Sequence, residues 1–210
     1  MIVLGLDQAP SGTGWALGDG SGRPQFGYKA FPDYGNNESK LIGYIIAWLL
    51  PFARRCGVST IFSEQIVIDT KRHANVPVLM KQCAVVSAIA TVCCDELKDP
   101  ETGEVVFKGL AIPHYQAEIA AWRKRFIGLG MAPSGFEWKT EAIKACADRG
   151  WLIDRHDIAE ACGVWDYGLA ELDRVYRYGP SHTFVTRAAE KWRKLEQQKK
   201  AGAFFRKEPA

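Results

Sequence analysis

The 210-residue sequence predicts a mixed α/β fold. Three features carry that expectation. Short β-branched apolar runs stop at an acidic residue, a glycine-rich hairpin signal lies near the N-terminus, and longer segments place apolar residues at helical spacing.

Taken in order, residues 1–6 form an apolar run that stops at Asp7, the pattern of a buried central strand. Pro10, Gly12 and Gly14 predict a tight turn, and Trp15-Ala16-Leu17 resumes as a second strand. Gly18-Asp19-Gly20-Ser21-Gly22 is a hairpin signal leading to a third strand at 25–31. Segment 39–55 carries Leu41, Ile42, Ile45, Trp48, Leu49 and Phe52 at helical spacing, with Pro51 near its end. Residues 59–63 read as a strand running into Glu64, and 70–75 as a polar, basic loop. A longer helix is expected over 76–97, with small residues Ala84, Ser87, Ala88 and Ala90 on one side. Small residues let a second helix approach closely, so this segment is a candidate dimer face. A turn at 98–103, a strand at 105–112 and helices at 114–125, 138–149 and 157–176 complete the order. Domain organisation reads as 1–178 for the folded body and 179–210 for a basic C-terminal tail or helix.

Composition is that of a globular protein, with 47% hydrophobic and 24% charged residues. The apolar start lacks the basic lead of a secretion signal, and the long apolar stretches are interrupted short of about 18 residues. The expectation is therefore a cytoplasmic protein with no membrane partner. Six cysteines contain no C-x-x-C pair, which excludes common zinc spacings and points to reduced thiols. The net charge of +3 is uneven: eight Lys/Arg against three Glu put +5 on 187–210 and leave about −2 on the rest. That tail reads equally well as a phosphate-contacting arm or as a solvated amphipathic helix.

The chemistry lies in four acids. Asp7 and Glu64 each end an apolar strand, and Asp157 and Glu160 lie three apart on one face of a helix start. Singly, Asp7 suits a turn, Glu64 an edge charge, and the pair a helix N-terminus favoured by its dipole. Together they are mutually repelling carboxylates whose cost a divalent cation removes. Hard oxygen donors suit Mg²⁺, with Mn²⁺ as substitute, and two such ions about 4 Å apart serve phosphodiester hydrolysis.

The ordered motifs resemble those of RuvC-type Holliday junction resolvases of the RNase H-like superfamily. Ile2-Val3-Leu4-Gly5-Leu6-Asp7 with Gly12-Thr13-Gly14-Trp15 resembles the family's opening, although Gln8-Ala9-Pro10 replaces its Pro-Gly. Ile61-Phe62-Ser63-Glu64 resembles its second motif, and Asp157-Ile158-Ala159-Glu160-Ala161-Cys162-Gly163 its C-terminal helix, with Glu160 where Asp is usual. Trp122-Arg123-Lys124 resembles a stretch of phage-type members. The resemblance implies an RNase H-like fold with a five-stranded mixed sheet whose first three strands are antiparallel. It implies Asp7, Glu64, Asp157 and Glu160 as catalytic metal ligands. It also implies a homodimer that cuts four-way DNA junctions in recombination, repair or phage DNA processing.

Two basic patches suit phosphate contact: Lys71 and Arg72 after Glu64, and Trp122, Arg123, Lys124 and Arg125. Lys139, like Lys124, is placed to stabilise the reacting phosphate. The same residues also read as solvated surface around a core tryptophan. Competing readings are a nuclease for flaps, forks or RNA–DNA hybrids, a non-catalytic junction binder, and an actin-like ATP-binding kinase. The last would need a second half and a later glycine-rich motif.

Overall fold

A computed structural model describes residues 1–66, 76–132, 135–173 and 176–177, with 190, 194 and 197. Its elements run β1 (Val3–Ala9), β2 (Gly12–Gly18), β3 (Gln25–Ala30), α1 (Glu38–Arg55), β4 (Thr60–Glu64), α2 (Val76–Cys93), β5 (Glu96–Lys98), β6 (Val105–Lys108), β7 (His114–Ala117), α3 (Ile119–Phe126), α4 (Trp138–Asp148) and α5 (His156–Leu172). Five strands form one sheet in the order β3-β2-β1-β4-β7. Strands β1, β2 and β3 are antiparallel neighbours, while β4 runs parallel to β1 and β7 parallel to β4.

The alternation of side chains in β1 divides the molecule. Leu4 and Leu6 enter a core with Leu41, Ile45 and Leu49 of α1 and Val85 and Ile89 of α2. Val3 enters the opposite core, with Trp122 and Phe126 of α3 and Trp165 of α5. A period of two puts Gly5 and Asp7 on the same face as Val3. Helix α5 lies directly on that face. A Cβ on Gly5 would stand 2.5 Å from the Trp165 nitrogen, and one on Gly14 would collide with the Asp157 carbonyl. Those two glycines let helix backbone touch strand backbone, and they bring the start of α5 to the strand pair that carries Asp7.

Several boundaries differ from expectation. Asp7 sits within β1, paired with Gly14, and the turn is confined to Pro10 and Ser11; Gly12 and Gly14 belong to β2. Helix α2 stops at Cys93, and α5 at Leu172 with Asp173 as its C-cap. The expected strand at 105–112 is only Val105–Lys108, and it pairs with β5 in a separate two-stranded hairpin. Its turn is built by Asp99, whose Oδ1 accepts the N–H groups of Glu101 and Thr102, and by Gly103 at φ +72°. The fifth strand of the main sheet is His114–Ala117, where a helix was expected at 114–125. Four residues are too few for periodicity to register; their partner β4 decides the conformation, Ile61 pairing with His114 and Ser63 Oγ lying 2.9 Å from His114 Nε2. Helix α2 is long and apolar enough to cross a membrane by length and composition, and it packs its Ala84, Val85, Ala88 and Ile89 into the core shared with α1.

Candidate active site

Asp7 and Glu64 sit on adjacent parallel strands, one residue past the last paired positions, Leu6 and Ser63. The Gln8 side chain continues the ladder beyond that point: its Oε1 accepts the Glu64 N–H at 3.1 Å and its Nε2 donates to the Glu64 carbonyl. Thr13 Oγ1 donates to the Asp7 carbonyl at 2.9 Å. Asp157 and Glu160 arrive from α5 one helical turn apart, over the glycine at position 14 that pairs with Asp7.

Each acid has its own surroundings. Glu64 Oε1 accepts a 2.9 Å hydrogen bond from the Trp122 indole N–H. Asp157 accepts Arg155 Nε at 2.9 Å on Oδ2 and lies 2.9 Å from His156 Nε2 through Oδ1. Arg155 itself lies over the Tyr28 ring at 3.4 Å. Glu160 is buried, with the Arg123 guanidinium 3.7 Å away, and that guanidinium packs over Trp138 at 4.6 Å. Among the described residues the buried Arg123 Nε has no hydrogen-bond partner. Lys139, exposed at the start of α4, places Nζ 3.1 Å from His156 Nε2.

The electrostatics converge on Asp7. Burial pushes its pKa well above the usual carboxylate range, and the charges of Glu160, Glu64 and Asp157 push it further, against Lys139. Burial and then Glu64 raise Glu160 to about 7, opposed by Arg123 and Lys139. Burial also raises Glu64, and the indole hydrogen bond opposes that rise. A set of carboxylate oxygens in low dielectric, whose charges fall on Asp7 and Glu160, has the donor chemistry of a hard divalent cation site. Among the described residues no three His, Cys, Asp or Glu side chains come close enough to hold one ion. Glu64, Glu160 and Asp157 are turned instead onto Trp122, Arg123 and the Arg155/His156 pair.

The expected DNA-contacting residues separate. Lys71 and Arg72 lie outside the described residues. Trp122 is 0% exposed, which removes it as a surface for stacking bases. Arg125 is turned inward onto the buried Asp166, Nε to Oδ2 at 2.8 Å, because α3 packs against α5 through this side. Arg123 faces the acids. Lys124 and Lys139 remain exposed. Sequence reasoning missed Gln8 and Trp122 as partners of Glu64. The signal for Gln8 was its place immediately after Asp7; Trp122 had none, because its partner is 58 positions away.

No protein-family model matches the sequence, and no curated protein matches it significantly. Solved structures do match. Thermus thermophilus RuvC aligns with TM-score 0.51 and 15% identity over 79% of this chain and 91% of its own. The same protein in complex with a Holliday junction substrate aligns with TM-score 0.57 and 13% identity over 79% and 90%. This chain has the RuvC fold, of the RNase H-like kind. The yeast mitochondrial Holliday junction resolvase Ydc2 also matches, at TM-score 0.48, 9% identity and coverage of 84% and 82%.

Proposed function

We propose that this chain is a divalent-cation-dependent endonuclease that hydrolyses DNA phosphodiesters at four-way junctions. The observation that carries the reading is the gathering of the charges of Glu64, Asp157 and Glu160, from β4 and α5, around the half-buried Asp7 of β1, on the RuvC fold. One of the two RuvC structures holds a Holliday junction, and this chain covers nine-tenths of its length.

Asp7 is the anchor, since its rigid central strand fixes its Cα and the other three charges fall on it. Glu64, Asp157 and Glu160 complete the donor set, Asp157 and Glu160 by exchanging Arg155, His156 and Arg123 for the cation. Mg²⁺, or Mn²⁺ in its place, would activate a water and stabilise the leaving oxygen. Arg123 and Lys139 are positive groups bordering the acids, and once Glu160 has turned to the cation they are placed to receive negative charge on the scissile phosphate. Exposed Lys124 contributes a backbone phosphate contact, which positions DNA without reading sequence.

A second copy of the chain supplies the other half of a two-fold junction. Ala84 and Ala88, expected on this face, lie in the core instead; helix α2 presents Val76 (61% exposed) and Met80 (53% exposed) outward, with Cys83, Ser87 and Ala90 continuing at spacings of three and four. Such a seam suits an antiparallel or parallel helix pair across a dimer axis. The test is cleavage of a labelled panel comprising a four-way junction, fork, flap, RNA–DNA hybrid and linear duplex, with Mg²⁺, Mn²⁺ or EDTA. Metal-dependent, paired cuts in the junction support the reading. Preference for another substrate transfers the chemistry to a different target, and no cleavage of any substrate overturns it.

A further inference from the structure

We propose that Trp122 is a positioning residue for Glu64, its indole N–H fixing which carboxylate oxygen is offered to a cation; this rests on the nuclease reading above. A buried indole needs an acceptor for its N–H. Trp122 is wholly buried, yet its N–H goes to a side-chain carboxylate at 2.9 Å rather than to a backbone carbonyl. The ring cannot turn away. It lies on α5 at Gly163, where a Cβ would come within 2.6 Å of its Cε3, and the Arg123 guanidinium covers it at 5.3 Å. The N–H direction is therefore set by the packing of α3 on α5.

Glu64 is held from a second side as well. Gln8 bonds both the N–H and the C=O of the Glu64 backbone, replacing the ladder contacts that β1 and β4 no longer make. Backbone and Oε1 are both fixed, and among the described residues the side-chain hydrogen bond of this carboxylate falls on Oε1, leaving Oε2 as the oxygen to be offered to an ion. A carboxylate so restrained loses less freedom on taking up an ion, and hydrogen-bond partners of ligating carboxylates typically contribute about 10- to 100-fold in metal affinity. Trp122 also joins the site to α3, since the same helix carries Arg123 to Glu160.

The experiment is Mn²⁺ titration by calorimetry on the full chain, for wild type, Trp122→Phe, Glu64→Gln and the double variant, with urea unfolding in EDTA alongside. Phenylalanine keeps an aromatic ring in this pocket and removes the donor together with part of the indole's volume, a packing cost that the urea unfolding in EDTA reads separately. Trp122→Phe is expected to weaken Mn²⁺ binding about 10-fold or more, and to add less than about 2-fold in the Glu64→Gln background. Unchanged affinity, or an equal loss in both backgrounds, overturns the proposal and leaves Trp122 as core packing. Glu64→Gln weakening binding while Trp122→Phe does not would sink the positioning role and keep the metal site; no Mn²⁺ uptake by the wild type sinks both. A second readout needs no Trp variant: the Trp122 indole ¹⁵N–¹H resonance is expected to move on Mg²⁺ addition in wild type and to stay fixed in Glu64→Gln. An unmoved wild-type resonance also overturns the proposal.

Discussion

Glu160→Gln should make the metal-free protein more stable at pH 8 and leave it unchanged near pH 4. Burial, followed by the charge of Glu64, raises Glu160 from the ordinary 4.5 to about 7. The folded chain therefore keeps this proton across a window in which the unfolded chain has released it. Between those two values the native state binds more protons, so stability falls as pH rises. A displacement of about 2.5 pH units at 1.36 kcal/mol each gives a ceiling of about 3 kcal/mol above pH 7. The side chain is only 9% exposed, so solvent screening takes little from it. Glutamine keeps the shape, removes the charge, and leaves Arg123 with Glu64 as counter-charge. With a urea slope of about 2 kcal/mol/M, the midpoint should rise by up to about 1.5 M at pH 8. The assay is urea unfolding in EDTA from pH 4 to 8.5 on both proteins. Mg²⁺ should narrow the difference, stabilising wild type by about 2.7 kcal/mol at a hundred times its dissociation constant and the variant by less. Parallel curves for the two proteins at every pH would refute the reasoning, because the repelling acid cluster would then not exist in solution.

Other outcomes follow from the same geometry. Asp7→Asn should reduce junction cleavage at least about 10²-fold while gel-shift affinity for the junction in Ca²⁺ is kept, since it removes the anchor and no phosphate contact. Gly14→Ala should destabilise by more than about 4 kcal/mol or prevent folding, measured by denaturation, because its methyl group meets the Asp157 carbonyl. Met80→Glu should convert a dimer to monomer in sedimentation without lowering the unfolding midpoint, as Met80 is 53% exposed on α2. Lys124→Ala should lower junction affinity modestly and flatten its salt dependence by about one unit of slope, whereas Arg125→Ala should act through lost stability because Arg125 is paired with buried Asp166.

Much of the frame was legible from local pattern. The run Val3–Leu6 stops at an acid, glycines punctuate the first hairpin, and α1, α4 and the start of α5 follow apolar spacing. The four acids stood out only as an ordered set, since each taken singly has a local reason for its place. Strand β7 was not legible: His114–Ala117 is neither alternating nor apolar, and it becomes a strand only because β4 offers an unpaired edge. The β5–β6 hairpin was hidden for the opposite reason, since Val105 and Val106 look like core and stand exposed.

By itself the sequence determined which residues alternate in the first strands and that four carboxylates are carried on, or close to the ends of, regular elements. The tertiary structure decided who faces whom. Trp122 left the DNA surface for Glu64, Arg125 turned to Asp166, and Gln8 closed the strand pair beside the acids. Those choices depend on contacts between residues roughly 40 to 60 positions apart, and they follow from burial. A polar group taken out of water must find whichever partner the packing brings, and no local pattern encodes that partner.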